Sequence, residues 1–423
     1  MKSRGRHRRQ KRGRALRALL AGTALALTAA ATMISASQAT VSKDPGGLKA
    51  FDAAGASGFR LQERLVPQDT LDRLSSAMGR PVGVGAVLDD TDRSLRTPAD
   101  CTTAERAALP VEPVATRAYC WDAADTRGWR AGAVTTSGDA DDDGHWGPHR
   151  VILSGWSHDT GRADRPGLAR VAFVNADDPD NLTYTWALLA VPTDGGRNYT
   201  GLASAVSGLV WYQDKLLVTT ADGLYVYDVE RIERANVDSA QVGRVRGGWS
   251  AYGARYVLPA VGSYQLAAGA PRPAVVSLDR STAPDSLVAS ESVPANSERH
   301  TRLWRYPFST DPARPGLLAT DSAGGAVASE AYETKTAGVS GVLSYGSGWY
   351  LDRASDSRDG RGVLWRQDRR TAKAAECGSD ASHHCWSGQA GPLSYWEETG
   401  EVWSQSGRML YALPLSSIDR SVE

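Results

Sequence analysis

Five stretches of short apolar runs, separated by Gly, Asp and Ser turns, recur roughly every 50 to 65 residues after Ala131 and predict an all-β fold. The stretches start at Val151 (VILSGWSHDTGRADRPGLARVAFVN), Gly208 (GLVWYQDKLLVTTADGLYVYDV), Ala274 (AVVSLDRSTAPDSLVASES), Gly341 and Pro392. Each reads as a strand, a tight turn and a second strand, usually followed by a third with an aromatic near its end, as in VAFV, LYVY, LWRY, VLWR and MLYAL. Apolar residues at helical spacings of three and four are missing from these runs, so strand is the consistent assignment. Short antiparallel strands in quasi-repeats of this size fit blades of a β-propeller of five to seven blades. A β-sandwich also has alternating strands, but it has no need of the same hairpin five times.

The chain begins with MKSRGRHRRQKRGRALR, which holds nine Lys or Arg, followed by ALLAGTALALTAAATMI. This is the pattern of a secretory signal peptide over residues 1–39, with Ser37 and Ala39 suiting cleavage after Ala39. The apolar run is too short and too rich in Ala and Thr for a permanent span. No Cys follows it to carry a lipid, and Gln10-Lys11-Arg12 stands where a twin-arginine signal needs apolar residues. Without the signal the chain keeps 39 Lys+Arg against 48 Asp+Glu, about nine negative charges in excess. An acidic chain with no further basic tract is a poor partner for nucleic acid or for an anionic membrane. The expected location is extracellular, possible cell-wall association included, and the expected state is a monomer.

Residues 40–128 carry few strand patterns and read as an N-terminal strap laid over the propeller of residues 129–423. Its single expected helix lies in PQDTLDRLSSAMGRP, where Asp69 can cap, Leu71, Leu74 and Met78 share a face, and Gly79 and Pro81 stop the helix. PVGVGAVL from Pro81 is expected to supply strands for one or two further blades. Four cysteines in an exported chain read as two disulfides with three possible pairings, and sequence proximity favours Cys101 with Cys120 and Cys377 with Cys385. Zinc held by Cys377, His383, His384 and Cys385 is the competing assignment, disfavoured by an oxidising compartment and by the awkwardness of adjacent histidines on one ion.

The stretch SGDADDDGHW, from Ser137, places Asp139, Asp141 and Asp143 in alternation before Gly144. A hard cation takes several oxygens at once, and carboxylates around a tight turn can converge, so this spacing marks a candidate structural calcium site. The twelfth position is Arg150 where an EF-hand has Glu, and the motif occurs once, which leaves a solvated acidic hairpin loop as the alternative. His145, His149 and His158 follow on strand and loop, without the helical spacing that makes a zinc pair. No cofactor is otherwise implied. Neither G-x-S-x-G nor H-E-x-x-H occurs, so no catalytic residue is assigned. Glu397, Glu398 and Asp159 lie near aromatics and could serve an enzyme needing paired carboxylates. Most of the 13 tryptophans, including Trp211, Trp304, Trp365 and Trp403, fall at repeated strand positions and are expected to pack between blades. Gln62 and Gln68 lie in the strap, expected to be exposed and mobile, and are the candidate transglutaminase acceptors.

GLVWYQDKLLVTTADGLYVYDVERI, ARYVLPAV, AVVSLDRSTAPDSLVASE and Glu330-Ala331-Tyr332 resemble sequences of a group of secreted actinomycete β-propeller proteins, from about Trp129 onward. The group includes the dispase autolysis-inducing protein, which promotes self-digestion of a thermolysin-like metalloprotease and is cross-linked by a secreted transglutaminase. The resemblance implies a non-enzymatic propeller that binds an extracellular protein partner, with a secreted protease and a transglutaminase as candidates. It carries no glutamine over, and the scarcity of lysine in this chain sets it apart. The alternative function is a propeller enzyme, a hydrolase or lyase acting on glycans or lactones, with acidic residues at the central channel.

Overall fold

A computed structural model describes residues 44–162, 166–355, 360–378, 383–388 and 391–422. The proposed signal peptide lies outside the described residues. One compact unit begins at Gly46. The fold is all-β, and four consecutive antiparallel units follow one another along the chain.

Unit 1 runs through Trp129–Thr136, Val151–His158, Ala169–Asn175 and Thr183–Thr193, each strand hydrogen-bonded to the next. Unit 2 is Leu209–Tyr212, Lys215–Thr220, Gly223–Asp228 and Tyr256–Leu266. Unit 3 is Val275–Asp279, Ser286–Ser290, Thr301–Pro307 and Glu330–Thr334. Unit 4 is Val339–Tyr345, Gly348–Arg353, Val363–Gln367 and Ala372–Ala374. A fifth unit pairs Leu393–Trp396, Glu401–Ser406 and Met409–Pro414, and its fourth strand is Arg117–Cys120 from the N-terminal segment. Parallel pairing of Tyr256–Pro259 with Ala187–Ala190 joins the outer strands of units 1 and 2.

Successive side chains of a strand point to opposite faces, and here both faces are buried. In unit 2, Leu209, Trp211 and Leu216 pack with Ala133, Leu153 and Val171 of unit 1, while Val210, Leu217 and Val226 pack with Val276, Leu287 and Trp304 of unit 3. Units 3 and 4 share a core containing Val288, Leu303, Val342 and Leu351. Units 4 and 5 share one with Leu343, Leu364, Val402 and Tyr411. Trp396, Trp403 and Leu410 of unit 5 then meet Ile152, Tyr184 and Trp186 of unit 1. The five cores thus follow one another in a cycle. Trp211, Trp304, Trp365 and Trp403 are all buried in these cores, as their strand positions predict.

The N-terminal segment is more structured than its sequence implies. Besides the expected helix at Gln68–Met78 it holds short helices at Ala53–Ala56, Val84–Leu88 and Thr103–Arg106. PVGVGAVL adds no blade: it makes an isolated bridge from Val82 to Ile232 and then the helix Val84–Leu88, whose Val84, Val87 and Leu88 enter the core of units 1 and 2. Alternating valines suit a strand, whereas Val84, Val87 and Leu88, at spacings of three and four, put one face of a short helix into that core.

Both disulfides join sequence neighbours, Cys101 with Cys120 and Cys377 with Cys385, which removes the zinc assignment by consuming two of its four ligands. Cys120 belongs to the strand that completes unit 5, so the first bridge ties that strand to Cys101 across a separation of 19 residues. Closing a loop of that size in the unfolded chain stabilises the fold by about 3 kcal/mol. The Cys101→Ser/Cys120→Ser double variant is expected to lose that amount in urea unfolding, with a slope equal to or steeper than wild type because the released chain unfolds more fully, and a loss below about 1 kcal/mol would show that the strand holds without the bridge.

Candidate functional site

Antiparallel strands alternate in direction, so the turn after the first strand of every unit lies on the same side as that strand's end. These turns touch one another. The Gln213 N–H of unit 2 donates to the Ala140 carbonyl of unit 1 (3.0 Å). Arg280 of unit 3 donates to the carbonyls of Gly138 (3.2 Å) and Asp139 (2.7 Å). The Gly346 N–H of unit 4 donates to Ser281 Oγ (2.8 Å), Tyr345 OH donates to Glu397 of unit 5 (3.1 Å), and Arg150 returns to unit 1 by pairing with Glu398 (3.0 Å). A face built from five turns results, and its centre is filled by the acidic stretch singled out above.

Ser137–Ala140 forms one helical turn that is buried throughout. Ser137 Oγ donates to the Gly144 carbonyl (2.8 Å) and accepts from the Val151 N–H (3.1 Å), pinching the loop shut. Trp396 lies over it so closely that a Cβ on Gly138 would sit 2.5 Å from the indole, and one on Gly144, at φ +81°, 2.7 Å from it. Both positions therefore require glycine. The Asp139 carboxylate turns inward and accepts from Thr135 Oγ1 (2.6 Å) and Ser394 Oγ (2.8 Å). Burial outweighs these donors and pushes its pKa up to about 6.

This geometry corrects the calcium assignment. Asp139 points into the interior, Asp141 is exposed, and Asp143 accepts from the His145 N–H (2.8 Å). Their carboxylates do not converge, and among the described residues no group of three His, Cys, Asp or Glu side chains could hold a metal ion. The cationic Arg280, paired with Asp142 and, at 3.2 Å, with Asp285, takes the place where a cation would neutralise the loop. The histidines diverge as well, His149 to Asp177 (2.8 Å), His145 to Arg150 (3.3 Å) and His158 to the rings of Trp129 and Tyr252.

The carboxylates considered for catalysis are apart and engaged. Glu397 and Glu398 lie on the turn face, whereas Asp159 follows the second strand of unit 1 at the opposite end and pairs with Arg130 (2.7 Å). Among these turns, Asp139, Arg280, Ser344, Tyr345, Tyr395 and Glu397 enclose about 10 Å³, room for one water molecule at most.

Gln62 is not on a mobile strap, since Arg60–Leu65 is a strand paired with Gly262–Leu266 and Gly325–Val327, and its amide donates to the Ala323 carbonyl (2.9 Å). Gln68 is exposed at the first position of its helix and donates to Asp72 (2.9 Å).

A larger space on this face lies to the side of that void. A cleft of about 770 Å³ opens between units 3 and 4, floored by Arg305, Tyr332 and Trp349 and flanked by Glu330, Arg369 and Arg370. Sequence reasoning passed over these residues because Arg305 sits inside an aromatic strand run, RLWRYPF, and reads as scaffold. The signal was there, since a guanidinium between Trp304 and Tyr306 in a doubly buried strand needs a buried carboxylate, which is Asp279.

Fold and site together define an all-β protein of antiparallel four-stranded units with a lateral cleft between two of them. No protein-family model and no curated protein matches the chain.

The raised pKa of Asp139 sets a pH dependence opposite in sign to that of a salt-bridged aspartate. The folded protein holds the proton more tightly than the unfolded chain, so this group favours the fold most below about pH 4 and its contribution falls as pH rises through about 6. The shift corresponds to about 3 kcal/mol. Asp139→Asn keeps an acceptor for Thr135 and Ser394, and its stability relative to wild type is expected to rise by up to that amount between about pH 4 and 7 in urea titrations. A difference independent of pH would show that Asp139 does not titrate there.

Proposed function

We propose that the chain is a secreted five-bladed β-propeller that acts by binding an extracellular protein partner through its turn-bearing face. Five four-stranded units with five shared cores in cyclic order support the propeller reading, as does completion of the last unit by a strand from the N-terminal segment. Two disulfides suit an oxidising extracellular space. Among the described residues no helix is long and apolar enough to cross a membrane.

The observation that carries the binding reading is the filled axis. An enzyme using the central channel needs a substrate-sized space faced by at least two carboxyl groups, and the Asp139 loop leaves about 10 Å³ there. What the face offers instead is a broad surface of turns with a cleft at its side. A secreted protease and a transglutaminase are the candidate partners that the family resemblance supplies. Of the two glutamines, Gln68 is the accessible one.

Exposed aspartates on the two faces give a matched test. Immobilised wild-type protein is expected to retain a specific protein from culture supernatant, with Asp141→Arg on the turn face reducing retention about tenfold and Asp222→Arg on the opposite face leaving it within about twofold. No specific retention, or equal loss from both variants, would sink the reading. In a separate assay, transglutaminase with a fluorescent amine is expected to label Gln68 and to leave Gln62 unlabelled. Labelling of Gln62 alone, mapped by peptide mass, would contradict the accessibility argument.

A further inference from the structure

A second hollow, of about 390 Å³, opens on the turn face where the turns of units 1, 2 and 3 meet. Four carboxylates line it, Asp141 and Asp142 from unit 1, Asp214 from unit 2 and Asp285 from unit 3, against one guanidinium, that of Arg280. Arg280 is already spent. It pairs with Asp142 and, at 3.2 Å, with Asp285, and its Nε and Nη2 donate to the carbonyls of Gly138 and Asp139. Lys215 is likewise shared, by Asp214 and Asp228 (3.4 Å), and Arg231 lies 3.3 Å from Asp72 and 4.0 Å from Asp228. With these neighbours counted, six carboxylates stand against three cations. Asp141 is exposed and makes no hydrogen bond or ion pair among the described residues.

The surplus is felt at Asp285. Burial pushes its carboxyl above the usual value, Arg280 and Tyr212 draw it down, and the charges of Asp142 and Asp279 push it up again. The walls of the hollow are aromatic. Of the 13 tryptophans eleven are buried, and Trp146 is one of the two that keep part of their surface open. Its indole is braced by Trp211, with ring centres 5.0 Å apart. Tyr212, braced by Phe308 at 3.9 Å, already carries Arg280 at 5.6 Å from its ring centre, so one cation–ring contact exists here within the chain. Among the described residues no three acids converge so as to hold a metal ion, and a spread-out organic cation suits this lining better than a bare one.

We infer that this hollow seats a basic segment of the protein partner, with an arginine side chain entering against Trp146 and the unpaired Asp141. A guanidinium meets a carboxylate in planar, two-point geometry and also stacks on aromatic faces, so arginine matches both features of the lining. The stem of the side chain packs on the indole while its head answers the surplus of carboxylates. A space of about 390 Å³ takes one or two long side chains, which makes the occupant a protruding segment of the partner. The inference rests on the binding function proposed above and names the chemistry of the partner.

The test uses the disulfide-intact protein and fluorescein-labelled hexa-arginine, followed by anisotropy at low salt, with spermine as a competitor and urea unfolding to confirm the fold of each variant. Wild type is expected to bind the peptide and to release it as salt rises. Asp141→Lys should weaken binding about tenfold and Trp146→Leu about threefold, whereas Asp180→Lys, an exposed acid outside the hollow, should change it less than about twofold. Absence of binding would overturn the inference. Equal loss with Asp180→Lys, or indifference to Trp146→Leu, would do so as well, because either would assign the attraction to the general negative charge of the chain. Stronger competition by spermine than by unlabelled hexa-arginine would assign the hollow to a free polyamine and overturn the peptide occupant. Retention of a partner from supernatant that is indifferent to Trp146→Leu and to added hexa-arginine would remove the hollow and leave the binding function standing. Hexa-arginine binding without any retained partner would do the reverse.

Discussion

The N-terminal belt is the constraint on which the remaining structure depends. The Gly46 carbonyl accepts from Gln367 (3.2 Å) and the Leu48 N–H donates to Asp368 (2.8 Å), both in unit 4. Lys49–Ala50 then pairs with the outer strand of unit 3, Arg60–Leu65 with that of unit 2, Arg93–Ser94 with that of unit 1, and Arg117–Cys120 completes unit 5. The segment thus visits units 4, 3, 2 and 1 in the reverse of their chain order before it completes unit 5. An outer strand carries a row of unpaired backbone groups and invites pairing with another chain. Here one segment occupies those edges locally and binds the last unit to the first part of the chain.

That arrangement explains why the turn face is built as it is. Each unit buries both faces against neighbours, so the first strands are held side by side and their turns have to share one surface. Polar groups buried beneath that surface, such as Thr135, Ser137 and Asp139, must find partners among one another. Thr135 serves two units at once, donating to Asp139 and accepting from the Trp211 N–H (3.0 Å). Arg280 answers carbonyls of the loop and two carboxylates. A buried polar network of this kind is stable only while every member has its partner. The acidic stretch therefore reads as the seal of the assembly, with its exposed carboxylates turned to solvent and its one buried carboxyl partly relieved by a raised pKa.

The strands of units 1 to 5 were legible because doubly buried strands leave dense apolar runs such as LLV and VAFV between turn residues. The tryptophan positions followed from the same pattern. The belt was not legible, and its residues show why. In Arg60–Leu65 only Leu61 is fully buried, Leu65 is exposed, and Glu63 is satisfied by Tyr264 and Arg314, more than 200 residues away. No local pattern announces such a partner. The helix Thr103–Arg106 did carry a signal, since Thr102 and Glu105 form a capping box, but four residues are too few to stand out by periodicity. The acidic loop misled for a related reason. Alternating carboxylates suit a cation only when their side chains converge, and convergence depended on Trp396, Ser394 and Arg280, all distant in sequence.

The same reasoning separates the two places where function could reside. Around the Asp139 loop, the polar groups facing the small void are engaged by protein atoms, and the void holds no more than a water molecule. A ligand entering there would have to break bonds that the fold needs. The lateral cleft differs, because its volume of about 770 Å³ stays open between side chains of two units, with the exposed Arg369 and Arg370 at its rim. Arg305 beneath it is shut off from solvent and spends its charge on Asp279 and Glu330, so it belongs to the packing of unit 3 against unit 4. Open volume beside exposed side chains is what separates a surface able to take a partner from a network whose groups are already spent on one another. In this protein it occurs where two units meet at their sides.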